Sequence, residues 1–302
     1  MTVPRRIALV GATASGKSTV AHDAALAHGH CEIVALDAMS AYRGMDIGTA
    51  TPTAAERAEV RYHLLDVVDP SEEMTVQRFQ GLYDAAIEGI ADRGATALLV
   101  GGSGLYYRAA VDGLEIPPQD RAVRRTLEAQ AATSGGPARL YAELVAADPV
   151  AAARIDPRNV RRLVRALEVL RATGRPFSSF GSGLASYPDR GVTHLGIQFD
   201  PARTDEAIRV RFESWMRAGL LDEVRALLAD PAGLSRTARQ AAGYHQLLDH
   251  LEGDLALDDA VAAAIAATRR LARRQWRWFR RDPRIRWVDD AGAAREALGA
   301  LL

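Results

Sequence analysis

Gly11-Ala12-Thr13-Ala14-Ser15-Gly16-Lys17-Ser18 fits the phosphate-loop pattern G-x-x-x-x-G-K-[ST] in full. In that pattern, backbone N–H groups at a helix N-terminus hold phosphate oxygens. The lysine supplies charge, and the hydroxyl, here Ser18, reaches a Mg2+ ion. Lys17 is also the only lysine among 38 Lys+Arg residues. So strong a skew reads as coding bias towards arginine, which leaves lysine where a guanidinium fork does not serve. A compact ammonium on a flexible stem enters a tight loop around phosphates; a planar guanidinium does not. The chain is expected to bind a di- or triphosphate.

Two further polar residues stand at the ends of apolar runs. Asp37 follows Glu32-Ile33-Val34-Ala35-Leu36, and Ser103 follows Thr96–Val100 and a Gly101-Gly102 pair. A carboxylate closing a buried strand needs partners or a task. It can bind a substrate hydroxyl, hold a metal, accept a proton, or simply cap a turn. The second run ends on glycines and a hydroxyl, not on the Asp that commonly supports Mg2+ in hydrolytic motors. That favours group transfer over nucleotide hydrolysis.

These residues need elements to position them. Ile7–Val10, Glu32–Leu36, Thr96–Val100 and Thr193–Phe199 read as buried strands, Tyr62–Val68 as a further short one, and Ile285–Val288 as the last. Helical periodicity fits 17–27, 75–93, 204–228 and 258–281. Strands alternating with helices imply an α/β fold, a mostly parallel sheet flanked by helices, whose ligands gather at the carboxyl ends of the strands. Between Pro117-Pro118 and Gly181–Pro188 the pattern is helical throughout. The expected domains are therefore a core of residues 1–112 and 191–302 and an inserted all-helical subdomain of residues 113–190.

A content of 48% hydrophobic and 25% charged residues is ordinary for a globular protein, and one cysteine, Cys31, excludes an intramolecular disulfide or a cysteine-built zinc site. Both fit a cytoplasmic protein. No stretch is long enough to span a membrane, and a monomer is the default expectation. Net charge is zero, yet the arginines cluster. At about 100° per residue, Arg269, Arg270, Arg273, Arg274, Arg277, Arg280 and Arg281 share an arc of roughly 140°. In the insertion, Asp156-Pro157 reads as a helix cap and first turn, after which Arg158, Arg161, Arg162 and Arg165 share a face. Either face reads as solvated surface or as a seat for a large polyanion.

Asp37-Ala38-Met39-Ser40-Ala41-Tyr42-Arg43-Gly44-Met45-Asp46-Ile47-Gly48-Thr49-Ala50 resembles the signature of the tRNA dimethylallyltransferases. Further blocks are similar in the family's order: Tyr62–Asp66, Val100–Tyr106, Asn159–Val169, Met216–Val224, Ala242-Gly243-Tyr244 and Thr268–Arg281. The resemblance implies a P-loop NTPase-like core and a defined reaction. The N6 amine of the adenosine 3′ of the anticodon attacks C1 of dimethylallyl diphosphate, and diphosphate leaves. It implies Asp37 as the base, with Lys17, Ser103 and Arg211 as the other catalytic residues and Mg2+ on Ser18. The loop Gly11–Ser18, which alone suggests ATP, would hold the leaving diphosphate. Contacts to the tRNA anticodon stem-loop would come from Asp37, Ala38, Met39, Ser40, Ser103, Arg124, Asn159, Val160, Arg161, Arg162 and Leu163. The family commonly has serine at Ala38, threonine at Ser103 and proline at Ala12, which touches fine contacts and not the reaction.

Three other readings remain open. A small-molecule kinase would use the same loop, with Asp37 on an acceptor hydroxyl, but leaves the arginine faces unexplained. An adenylate prenyltransferase of the cytokinin-producing type needs no RNA-gripping insertion. A nucleotide switch would leave Asp37 idle.

Overall fold

The structure, a computed structural model, describes residues 3–180, 184 and 186–302. Gly181, Ser182, Gly183 and Ala185, within the expected exit from the insertion, lie outside the described residues. The chain divides into two compact units, Met1–Gly113 with Tyr187–Leu302, and Leu114–Ser186.

The first unit is built on β1 (Arg6–Val10), α1 (Lys17–His28), β2 (Cys31–Ala35), α2 (Ala54–Glu59), β3 (Tyr62–His63), α3 (Val76–Asp92), β4 (Thr96–Gly101) and α4 (Gly104–Asp112). The second unit holds α5 (Arg121–Ala131), α6 (Gly136–Ala147), α7 (Pro149–Ala152) and α8 (Val160–Thr173). The first unit then resumes with β5 (Val192–Ile197), α9 (Pro201–Arg217), α10 (Leu220–Ala229), α11 (Arg236–Arg239), α12 (Tyr244–Leu251), α13 (Leu257–Phe279), β6 (Arg286–Val288) and α14 (Ala291–Leu301).

The six strands pair in the order β3-β2-β4-β1-β5-β6, and every pairing is parallel. Parallel strands need crossovers on both faces, so both faces are buried. Period-two alternation sorts the side chains accordingly. Ala8, Val10, Val34, Leu36, Ala97 and Leu99 face a core filled by Phe79, Tyr83, Tyr107, Leu247 and Phe279. Ile7, Leu9, Ile33, Leu98, Val100 and Leu195 face the other way, against Val20, Ala21, Ala24 and Ala25 of α1 and Ala294 and Leu298 of α14. The turns after β1, β2 and β4 therefore leave the sheet at one edge.

Three elements depart from the expectation. Of Tyr62–Val68 only Tyr62-His63 pairs as a strand. Leu64 and Asp66 turn to positive φ, and Val68 makes an isolated bridge to Tyr42. The helix expected over 204–228 is two helices, because Gly219 adopts φ 99°, a conformation that glycine enters without steric cost. In the insertion, Asn159 and not Asp156 caps α8: its side chain accepts from Arg162 N–H at 3.2 Å. Asp156 instead accepts from the Arg158 N–H and guanidinium.

The second unit has its own core of Leu127, Leu140, Leu144, Leu163, Val164 and Leu167. Its one fully buried carboxylate on α8, Glu168, accepts from the Asp120 N–H at 2.9 Å and from Arg124 at 2.6 Å, with Arg165 at 3.0 Å. A buried charge left unpaired is costly, so these arginines hold the unit together. Among the described residues no helix is long and apolar enough to cross a membrane.

Candidate active site

The loop after β1 is shaped for an anion. Ala14 has φ 63° and Gly16 φ 86°, and alternating left-handed residues turn successive N–H groups into one concavity. Gly16 caps α1 with no side-chain hydrogen bond, so the first N–H groups of α1 stay available to a ligand. Gly11 is required by close approach: a Cβ there would lie 2.9 Å from Ser15 Oγ. That hydroxyl is itself buried without a hydrogen-bond partner, a polar atom left for a ligand inside the cradle. Ala12 is buried against Ile208 and Ala272, so its side chain supports the loop from behind.

Lys17 donates from Nζ to the Ala12 carbonyl at 3.2 Å. Burial lowers its pKa to about 8, Asp37 opposing and Arg211 adding to the shift. Arg211, on α9, is half-buried, and burial lowers its pKa as well. Among the described residues it makes no ion pair; its guanidinium sits 5.9 Å from the centroid of the Trp215 ring. Two half-buried cations, of which Arg211 has no ion-pair partner among the described residues, are a receptor for a polyanion.

Asp37 stands at the end of β2. Its Oδ1 accepts from Met39 N–H at 3.0 Å, and the nearby Ser103 hydroxyl favours its charged form. Burial nevertheless raises its pKa; the Met39 N–H, the charge of Lys17 and Ser103 oppose this. A carboxylate so placed binds a proton more readily than a solvated one. Ser40 is buried and donates back to the Asp37 carbonyl at 3.2 Å. The paired glycines now have a reason. A Cβ on Gly101 would lie 2.3 Å from the Leu36 carbonyl oxygen, so only glycine lets the end of β4, and Ser103 after it, close on the end of β2.

One pocket gathers the polar residues Thr13, Lys17, Ser18, Asp37, Ser40, Arg211 and Gln275, with Met39 beside them. Its other walls include Gly48, Thr49, Ala50, Trp215, Tyr244 and Leu271. Ser103 lies beside Asp37 and acts on its charge. Ser18 is exposed at the mouth. No group of three or more His, Cys, Asp or Glu side chains among the described residues could hold a metal unaided. The exposed Ser18 hydroxyl beside an anion cradle suits Mg2+, which takes few protein ligands and shares the rest with substrate phosphates and water.

Gln275 was not singled out by sequence reasoning, which read α13 for its arginines. It is buried, and its Oε1 accepts the Thr13 N–H at 2.7 Å. The arginine face of α13 is also less uniform than the angles imply. Arg269 and Arg273 turn to Asp205 of α9, the latter at 2.7 Å, whereas Arg270, Arg274, Arg277, Arg280 and Arg281 are exposed without acidic partners among the described residues.

The expected RNA-contacting residues of the insertion fall into two groups. Arg161 and Arg162 are exposed. Leu163 is fully buried and Val160 packs on the same core, so neither side chain offers itself to a ligand. Arg124 and Arg165 are engaged by Glu168, and Asn159 spends its side chain on the α8 cap. Ala38, expected with Met39 and Ser40 among the tRNA contacts, is buried and offers only backbone.

A sequence profile of the family described as IPP transferase matches residues 40–282. A tRNA dimethylallyltransferase of Salinispora arenicola is 48% identical over 292 residues, covering 95% of this chain and 83% of that protein. The crystal structure of the full-length tRNA isopentenylpyrophosphate transferase of Bacillus halodurans superposes with a TM-score of 0.68 at 33% identity, covering 98% of this chain and 95% of that one. A eukaryotic dimethylallyltransferase shares the fold with a TM-score of 0.76 at 24% identity, over 95% of this chain and 74% of that one. With matches of this identity over nearly its whole length, the chain belongs to the IPP transferase family.

Proposed function

We propose that the protein transfers a dimethylallyl group from dimethylallyl diphosphate to the N6 amine of the adenosine 3′ of the anticodon in tRNA. One observation carries the reading: a half-buried carboxylate, Asp37, shares a pocket with two cations, its neighbour Lys17 and Arg211, and Arg211 has no ion-pair partner among the described residues. The N6 lone pair forms the new bond to C1, the C1–O bond breaks, and diphosphate leaves with the bonding electrons. Asp37 takes the N6 proton, and its raised pKa suits that task. Lys17, Arg211 and the N–H groups of the loop neutralise the charge growing on the leaving group, a contribution often largest in transfer reactions. Ser18 would hold Mg2+, which supplies additional positive charge to the diphosphate.

The adenosine must leave the anticodon-loop stack, at a cost of a few kcal/mol, to enter the pocket. Met39, Ser40 and the backbone at Ala38 lie beside Asp37 to receive it. Arg161 and Arg162 in the insertion, and the unpaired arginines of α13, hold the RNA backbone.

The test is purified protein with unmodified tRNA, dimethylallyl diphosphate and Mg2+, read by nucleoside mass spectrometry. Adenosine should gain one isoprene unit. Phosphate transfer from ATP without that gain would replace the reading with a kinase. Asp37→Ala should abolish transfer and leave tRNA affinity nearly intact; loss of tRNA binding would make Asp37 structural.

A further inference from the structure

Three segments that carry the site leave the sheet separately: the loop after β1, Asp37 after β2, and Gly102-Ser103 after β4. Catalysis by positioning requires that they keep a fixed register, and hydrogen bonds within each segment do not supply it. The structure shows one side chain wedged between two of them. Gln275 descends from α13, and its Oε1 accepts the Thr13 N–H at 2.7 Å. The other end of the same amide lies against the turn after β4. A Cβ on Gly102 would be 2.6 Å from Gln275 Nε2 and 3.2 Å from the Gly11 carbonyl oxygen. The third segment is locked to the second by the neighbouring glycine, since a Cβ on Gly101 would strike the Leu36 carbonyl. Leu36 immediately precedes Asp37.

We propose that Gln275 is a positioning residue that sets the register between the diphosphate cradle and the Asp37–Ser103 pair, with Gly102 as the notch that admits it. This rests on the transfer reading above. Thr13 N–H, the third of the loop, is turned inward to the amide and is withheld from the ligand. The cradle is thereby tied at Thr13 to a side chain that itself lines the pocket. Gln275 is polar and buried at 6% exposure, on a helix whose neighbouring positions 274 and 277 are exposed arginines. A buried amide is retained where its bonds do something that an apolar side chain of equal volume cannot. In a transfer whose nucleophile and leaving group are held by different segments, an error of about 1 Å in their separation costs on the order of a hundredfold in rate.

The experiment is a double-mutant cycle on the full chain. Gln275→Met keeps volume and removes the acceptor. Gly102→Ala pushes the amide away through the added methyl; the atom met first is the end of a flexible side chain, and the Gly11 carbonyl at 3.2 Å need give by only a few tenths of an ångström. Each single variant should lower kcat for tRNA prenylation by about ten- to a hundredfold. The Kd for inorganic diphosphate should weaken only about threefold, because the N–H groups facing the ligand remain. The double variant should be no slower than the slower single, since both remove one contact. Losses that multiply, a rate within about twofold of wild type in Gln275→Met, or a diphosphate Kd that falls as far as kcat would each overturn the proposal. A wild-type protein that moves no isoprene unit would instead defeat the transfer reading. The cycle is then read in diphosphate Kd alone, where the same non-additivity is expected and independent losses refute it.

Discussion

Glu223 and Tyr244 share a hydrogen bond of 2.5 Å, and together they occupy three consecutive backbone N–H groups of the loop between β2 and α2. Glu223 Oε2 accepts from Asp46 N–H at 3.0 Å and Ile47 N–H at 2.8 Å, and Tyr244 Oη accepts from Gly48 N–H at 3.1 Å. Three sequence blocks, 37–50, 216–224 and 242–244, thus meet at one point. The loop they hold forms the pocket wall facing the phosphate cradle.

The first prediction concerns this latch. Gly48→Ala would place a Cβ 2.5 Å from the Tyr244 ring, which is itself fully packed. We expect a loss of about 1–3 kcal/mol of stability, read as a lowered Tm, and a larger loss of transfer than of tRNA affinity. Tyr244→Phe keeps the ring and removes the two hydrogen bonds of its hydroxyl, which should cost about 1–2 kcal/mol. Equal damage from both variants would mean that packing and the hydroxyl do not act separately.

Lys17→Arg keeps the charge and changes the shape. Lys17 Nζ sits 3.2 Å from the Ala12 carbonyl within the loop, and a planar fork has no room to take that place and still face the ligand. We expect kcat to fall by about a hundredfold or more and inorganic diphosphate to bind more weakly, measured by calorimetry. Full activity in this variant would make the chain's only lysine an accident of codon usage.

The parts of the site legible in the sequence are those whose geometry is local. The phosphate loop is set by spacing over eight residues, and Asp37 and Ser103 are marked by their place at the ends of apolar runs. Gln275 was not legible, because its task depends on α13 lying across the ends of β1 and β4. The roles of Glu168 and of its arginines were hidden for the same reason. Helical angle puts Arg165 beside Arg161 and Arg162, and only the buried carboxylate one turn on separates a structural arginine from a solvated one. Tyr62–Val68 misled because its β-branched and aromatic content suits a strand, whereas Leu64 and Asp66 break the pairing with positive φ.

That separation of arginines can be measured. Arg161 and Arg162 are exposed, so Arg161→Gln with Arg162→Gln should leave Tm unchanged and weaken tRNA binding. Its salt slope should flatten by about 1–2, the loss of one or two phosphate contacts. Arg124→Ala should do the reverse first. It removes a 2.6 Å bond from a carboxylate with no exposure that keeps Arg165 and the Asp120 N–H, so a cost of about 1.5–3 kcal/mol, that of one charged hydrogen bond, is expected. An unchanged Tm in Arg124→Ala, or an unchanged salt slope in the double variant, would reverse these assignments.

Stability should depend on pH through His194. Its imidazole is buried on β5, bonded through Nδ1 to the Tyr107 hydroxyl, and faces Arg284, Asp282, Asp112 and Asp189. Burial, then the charge of Arg284, lowers its pKa to about 4 from an ordinary 6.5; the three aspartates oppose the shift. The folded chain keeps this ring neutral where the unfolded chain protonates it, so unfolding takes up a proton between those values. The stabilisation is fully present above 6.5 and is lost as pH falls through about 4. It amounts to at most on the order of 3 kcal/mol. His194→Gln keeps an acceptor for Tyr107 and cannot titrate. In urea unfolding at successive pH values, wild type and variant should therefore run parallel above pH 6.5 and converge below it, where only the wild type continues to lose stability to this ring. A constant gap down to pH 4 would mean that the imidazole charges freely in the folded protein.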